Sequence, residues 1–122
     1  MPILDVELVL APGETPDFNL ASRLAEAAGD VLASRPHGTW VKLSFIEANL
    51  YAENGGMTEG IYPVFVMVLK SRVPARPELE VEIKRLTESI AKVCGRPVEN
   101  VHILYQSEAT GRVAFGGNLI SG

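Results

Sequence analysis

Met1-Pro2-Ile3-Leu4-Asp5-Val6-Glu7-Leu8-Val9-Leu10 sets acidic Asp5 and Glu7 on one side of an alternating pattern and apolar residues on the other. That period of two reads as a β-strand. Its second residue adds a chemical possibility. A small residue after the initiator methionine permits removal of Met1, which leaves Pro2 as a secondary amine at the head of a strand. Such a nitrogen has no amide resonance, so it takes up and returns a proton. A reference α-amino group titrates at about 7.7–8.0, and an apolar pocket lowers that value towards neutrality. A base tuned near the working pH suits proton abstraction beside a carbonyl. The plainer reading is a proline that simply follows the start methionine, so the remainder of the chain has to decide.

Outward from this stretch, residues 11–16 hold two prolines and a glycine and read as a loop. Asp17 is a plausible N-cap for a helix running to about Ser34, with Phe18, Ala21, Leu24, Ala25, Ala28, Val31 and Leu32 on its buried stripe. Arg35-Pro36-His37-Gly38 ends it, because Pro36 cannot continue the helical ladder. Thr39 to Ile46 is a second strand, and a βαβ unit of this size implies a parallel pair joined by a right-handed crossover. Glu47 to Gly60 is polar and reads as a short extended piece plus turns.

The plan then repeats. Tyr62-Pro63 opens Val64-Phe65-Val66-Met67-Val68-Leu69, an unbroken apolar run of the kind buried on both faces. Residues 70–77 form a loop rich in cations, and Glu78 to about Cys94 is a second helix with Leu79, Ile83, Leu86, Ile90 and Val93 inward. Gly95-Arg96-Pro97 stops it, and Val98 to Tyr105 is the fourth main strand, followed by a tail with Gly116-Gly117. Set side by side, Met1-Pro2 falls on Tyr62-Pro63, residues 15–18 on residues 76–79, and Gly55-Gly56 on Gly116-Gly117. This is the mark of an internal duplication. It predicts one domain over 1–122, built of pseudo-repeats 1–60 and 61–122. The α/β (α+β) product expected is a four-stranded mixed sheet with two helices on one face and a short C-terminal hairpin. Two helices leave the other face of the sheet bare, so its apolar residues call for an oligomer.

Bulk properties narrow the function. The 122 residues are 47% hydrophobic and 21% charged, ordinary values for a soluble globular domain, and the net charge of −4 argues against a nucleic-acid partner. Cys94 is the only cysteine, so neither a disulfide within the chain nor a cysteine metal set is available. Cys94 stands at the apolar end of a helix and reads as a small buried thiol. No apolar run approaches a membrane span, and a cytoplasmic location follows by default.

Pro2, the duplicated plan, Asn100-Val101-His102-Ile103 and Gly111-Arg112-Val113-Ala114-Phe115-Gly116-Gly117-Asn118-Leu119 together resemble the tautomerase superfamily. The last stretch is similar to the carboxyl-terminal part of 4-oxalocrotonate tautomerase. The duplicated length resembles fused 4-oxalocrotonate tautomerases and the macrophage migration inhibitory factor and cis-3-chloroacrylic acid dehalogenase groups. The resemblance implies a homotrimer with pockets where chains meet, catalysis by Pro2, and no metal or organic cofactor. Pro63 is then the silent relic of the duplicated proline.

A base needs partners that hold the substrate carboxylate and the developing enolate. Lys70, Arg72 and Arg76 form a local excess of cations after the third strand. The resemblance makes Arg72 the carboxylate-binding arginine and Arg76 its second; a planar guanidinium suits that task. The plainer role for both is a solvated loop beside a helix start. Arg35 lies near a lysine of the migration inhibitory factor pattern and is given less weight. His102 matches the strand position of a substrate-binding arginine or tyrosine, or is a satisfied histidine on a half-buried strand. Val113 and Phe115 match the apolar hairpin that closes the family's pocket, or pack a trimer. The activity implied is keto–enol or 1,3-allylic proton transfer on a small 2-keto or 2-hydroxy-dienoic acid. The rivals are a cis-3-haloacrylate hydratase or dehalogenase, related decarboxylation, and a non-catalytic trimeric binding protein. Dehalogenation needs a carboxylate where this chain has Ala114, with Glu108 nearby but displaced.

Overall fold

The computed structural model describes residues 2–56 and 60–121. The alternating stretches become strands β1 (Ile3–Val9), β2 (Trp40–Ile46), β3 (Val64–Leu69) and β4 (Val101–Tyr105). They form one sheet in the order β2-β1-β3-β4. β1 runs parallel to β2 and β3 parallel to β4, while β1 and β3 meet antiparallel at the centre. Helices α1 (Leu20–Val31) and α2 (Arg76–Cys94) are the crossovers of the two parallel pairs. A two-residue hairpin, β5 (Ala114–Phe115) and β6 (Asn118–Leu119), closes the chain. Its turn needs positive φ at Gly116 and Gly117 (56° and 87°), which glycine adopts without steric cost.

The core lies between the helices and one face of the sheet. Leu4, Val6 and Leu8 alternate inward from β1 and Val64, Val66 and Val68 from β3, against Leu24, Leu86 and Ile90 of the helices. Burying a side chain of this size stabilises by about 1.5–3 kcal/mol. The opposite face carries Ile3, Asp5 and Glu7, Trp40 and Lys42, Phe65 and Met67, His102 and Leu104. Trp40, Met67 and Leu104 are exposed on it. β3 is therefore covered on one face of the protomer rather than both.

Several element boundaries differ from expectation: α1 ends at Val31 rather than about Ser34, and α2 starts at Arg76 rather than Glu78. α1 begins at Leu20, because the Asp17 carboxylate bonds the Arg23 side chain at 3.4 Å instead of capping helix N–H groups. Phe18 consequently precedes the helix and is fully exposed, off the buried stripe. Val98–Asn100 forms one 3-10 turn, and β4 starts only after it. Between β2 and β3, Ala48–Leu50 is likewise a 3-10 turn rather than an extended piece.

Arg96 locks the end of the sheet where β1 finishes and β3 begins. Its side chain is only 10% exposed. Nε donates to the carbonyl of Tyr62 at 2.7 Å and a terminal nitrogen donates to the carbonyl of Val9 at 2.9 Å. Both terminal nitrogens grip the Glu14 carboxylate, at 3.1 and 2.8 Å. Glu14 also accepts the Ala11 N–H at 2.9 Å, which ties down the strap after β1. The guanidinium hydrogen bond holds the Glu14 carboxyl below its usual range.

Candidate active site

Extending the β1/β3 register by one residue sets Pro2 opposite Lys70, at the end of the sheet away from Arg96. Pro2 is buried there, and its carbonyl accepts the N–H of Trp40 at 2.9 Å. A cavity of about 370 Å³ opens over it. Two segments complete its wall: Leu32 to Arg35 with Gly38 after α1, and Lys70, Ser71 and Arg72 after β3.

Local geometry brings the first segment in. α1 ends with Ser34 N–H donating to the carbonyl of Gly29 at 2.9 Å and Ala33 N–H to that of Asp30 at 3.4 Å. Ala33 takes the left-handed conformation at φ 53° that this cap requires. The chain then turns sharply, with Gly38 N–H donating to the Arg35 carbonyl at 2.8 Å. A Cβ on Gly38 would itself lie 2.8 Å from that oxygen, so the turn needs glycine. A Ser34–Thr39 hydroxyl pair spans the loop. The result is an arginine on the cavity wall.

The second segment is braced from behind. Lys70 Nζ donates to Glu82 Oε1 at 2.9 Å, with both side chains mostly buried (17% and 15% exposed). The other Glu82 oxygen accepts the hydroxyl of Tyr105. Burial first, and this carboxylate second, push the Tyr105 phenol up. Among the described residues lining the cavity, Arg35, Lys70 and Arg72 are cationic and none is acidic. The cavity suits an anion.

Pro2 and Arg72 thus come together. Met1, whose removal frees the proline nitrogen, lies outside the described residues. Arg76 stands on the outer surface of α2, its side chain 88% exposed and paired with Glu80 at 2.9 Å. His102 lies on the open sheet face beside Phe65, ring centroids 5.6 Å apart, in register with Glu7 rather than Pro2. Val113 is in the tail, where its carbonyl accepts the Ile120 N–H. Phe115 meets Trp40 edge-on at 5.3 Å, one residue pairing away from Pro2. None of these four lines the cavity of the protomer. Glu108 accepts the Val73 N–H at 2.6 Å and serves the tail's anchorage. Lys70 gains a wall position, and so does Arg35, the weaker candidate from the sequence; its placement depends on a left-handed alanine that no glycine announces.

Cys94 is buried, and burial pushes its thiol up to about 11. Among the described residues no cluster of three or more His, Cys, Asp or Glu could hold a metal ion, and no helix is long and apolar enough to cross a membrane.

The sequence matches no family model and no curated protein. The fold is matched closely. Pt0534 inactivated by 2-oxo-3-pentynoate superposes with a TM-score of 0.73 at 13% identity, covering 96% of this chain and 95% of that one. The Q0 fused 4-OT wild-type symmetric trimer gives 0.72 at 17% identity, covering 96% and 94%. The macrophage migration inhibitory factor of Trichinella spiralis gives 0.70 at 12% identity, covering 95% and 97%. The chain has the tautomerase superfamily fold. The mixed sheet, the two crossover helices and the terminal hairpin are the parts of that fold seen here. The Pro2 cavity lies at the head of its first strand.

Proposed function

We propose that this protein is a cofactor-independent isomerase that moves a proton on a small 2-keto or 2-hydroxy-dienoic acid. The observation that carries the reading is the buried Pro2 in a cavity whose described lining includes Arg35, Lys70 and Arg72. Once Met1 is removed, the Pro2 amine is the base. It takes a proton from the carbon beside the ketone and returns it at a second position. Arg35 and Arg72 hold the substrate carboxylate and draw charge from the enolate as it forms. Lys70, its own charge matched by Glu82, keeps that side of the wall in place.

The chain reads as two fused βαβ halves, 1–60 and 61–122, and as one third of a homotrimer. The bare sheet face, with Trp40, Met67 and Leu104 exposed, gives three such sheets a surface to share. A trimer is also what the fused 4-OT structure of the same fold is named as. In that assembly His102, Val113 and Phe115 belong to the part of the site where chains meet, and Arg76 remains a surface residue.

The test is turnover by amino-terminally processed protein, with Met1 loss confirmed by intact mass. Phenylpyruvate enol and 2-hydroxymuconate are followed by ultraviolet absorbance beside a Pro2→Ala control. Loss of a general base lowers the rate by about 10²–10⁴-fold. Absence of turnover with a free Pro2 refutes the isomerase reading.

A further inference from the structure

Arg35 stands between Ala33 (φ 53°) and His37 (φ 64°), the two non-glycine residues with positive φ among the described residues. A side chain crowds the backbone in that region, and such residues concentrate where a site is held in one geometry. Ala33 belongs to the cap of α1. His37 belongs to the turn Arg35-Pro36-His37-Gly38, closed by the Gly38 N–H on the Arg35 carbonyl at 2.8 Å. Proline in second place and a left-handed residue in third are the pattern of a type II turn, whose third position favours glycine. This chain has histidine there.

Trp40 bonds this turn from the far side. Its indole Nε1–H donates to the His37 carbonyl at 2.9 Å. Its backbone N–H donates to the Pro2 carbonyl, also at 2.9 Å. Phe115 packs edge-on against the ring, centroids 5.3 Å apart. The Ser34–Thr39 hydroxyl pair ties the two ends of the turn together, and Pro36 keeps Arg35 itself out of the helical region. One residue thus bonds both the strand head that carries Pro2 and the turn that carries an arginine of the cavity wall. Trp40 does not line the cavity itself.

We propose that Trp40 is a positioning residue of the Pro2 site, its two N–H groups fixing the Arg35 turn relative to Pro2. The inference rests on the isomerase reading for its ligand, a small 2-keto acid. With the turn already ordered, the Arg35 guanidinium meets the substrate carboxylate without the loss of loop freedom that binding otherwise exacts. Trp40 acts on binding only through Arg35.

The experiment is a binding cycle on amino-terminally processed, ¹⁵N-labelled protein. Sodium pyruvate and methyl pyruvate are titrated into the unsubstituted chain, Trp40→Phe, Arg35→Met and the double variant, and each Kd is read from amide shifts. Trp40→Phe keeps the backbone N–H and an aromatic ring for Phe115 and deletes the indole donor. The proposal expects the Kd for pyruvate to rise roughly 3- to 10-fold, as for one neutral hydrogen bond, with methyl pyruvate unaffected. Adding Trp40→Phe to Arg35→Met is expected to cause no further loss. The Gly38 amide should exchange faster in Trp40→Phe, while that of Ala109, bonded to the Lys70 carbonyl on the other wall, is unchanged. If Trp40→Phe does not fold, Thr39→Val breaks the hydroxyl pair of the same turn and is expected to give the same pattern. An unchanged Kd for pyruvate, an equal loss for acid and ester, or an undiminished loss in the Arg35→Met background overturns the proposal. Those results, with pyruvate still bound by the unsubstituted chain, leave the keto-acid reading standing. Pyruvate that fails to bind the unsubstituted chain refutes that reading and this one with it.

Discussion

The N–H of Trp40 donates to the carbonyl of Pro2 at 2.9 Å, so the first residue of β2 fixes the residue proposed as the base. The bond runs between backbone atoms and survives any substitution of the Pro2 side chain. Phe115 packs edge-on against the indole of the same tryptophan. The end of the sheet that presents Pro2 is therefore held by two independent contacts, and the tail contributes one of them.

Arg35→Met and Arg72→Met each remove a charge-assisted contact to the substrate carboxylate. Such contacts are worth about 1.5–3 kcal/mol. Each variant is expected to raise KM roughly 10- to 100-fold for a keto acid, with kcat changed far less, as for binding that ground state and transition state share. Steady-state kinetics with the acid and its methyl ester separate the effects. An unchanged ratio between the two substrates in both variants contradicts these roles.

Tyr105→Phe leaves one oxygen of a mostly buried carboxylate without its donor and should cost about 1–3 kcal/mol in denaturant unfolding. It also carries a pH signature. The Tyr105 phenol is raised in the folded state by burial and then by Glu82. Its contribution is fully present below the ordinary phenol value of about 10 and is lost as pH rises above it. The unsubstituted protein should lose stability on that alkaline limb, and the variant should lose less.

The acid limb belongs in part to Glu14. Its folded-state value is lowered, first by the Arg96 hydrogen bond, so its contribution is present above the ordinary carboxylate range and lost as pH falls below it. Glu14→Gln should flatten the stability profile between neutral pH and about pH 3. Urea midpoints across that range are the check.

Much of this architecture was legible in the residues. Alternation in β1 and the apolar run of β3 placed the central strands, and the Gly95 stop placed the end of α2, whereas α1 ends at Val31, short of the Ser34 expected. What escaped depended on partners distant in sequence. Asp17 looked like a helix cap, yet Arg23 takes its carboxylate. Phe18 kept helical spacing but stands before the first turn. Pro63 aligned with Pro2 as a letter, while the strand register shifts it by one residue and so to the other face. Arg35 reached the cavity through a left-handed Ala33, a conformation alanine does not announce. For His102, Val113 and Phe115 the proposed role lies between chains, where a protomer offers no partner.

Cys94 is expected to be inert in the native state, because its thiol is buried and pushed up to about 11. A disulfide-exchange reagent at pH 8 should label it only at the rate of unfolding, and rapid labelling would contradict the packing of α2.

The central claim is that Pro2 is a free amine tuned by its cavity. The direct measurement is a nuclear magnetic resonance titration of processed protein carrying ¹⁵N-labelled proline. The account predicts a Pro2 nitrogen that titrates below the reference α-amino range of about 7.7–8.0, and that moves upward in Arg35→Met and Arg72→Met as positive charge leaves the wall. A Pro2 amine that titrates within or above that range, unmoved by either substitution, contradicts it.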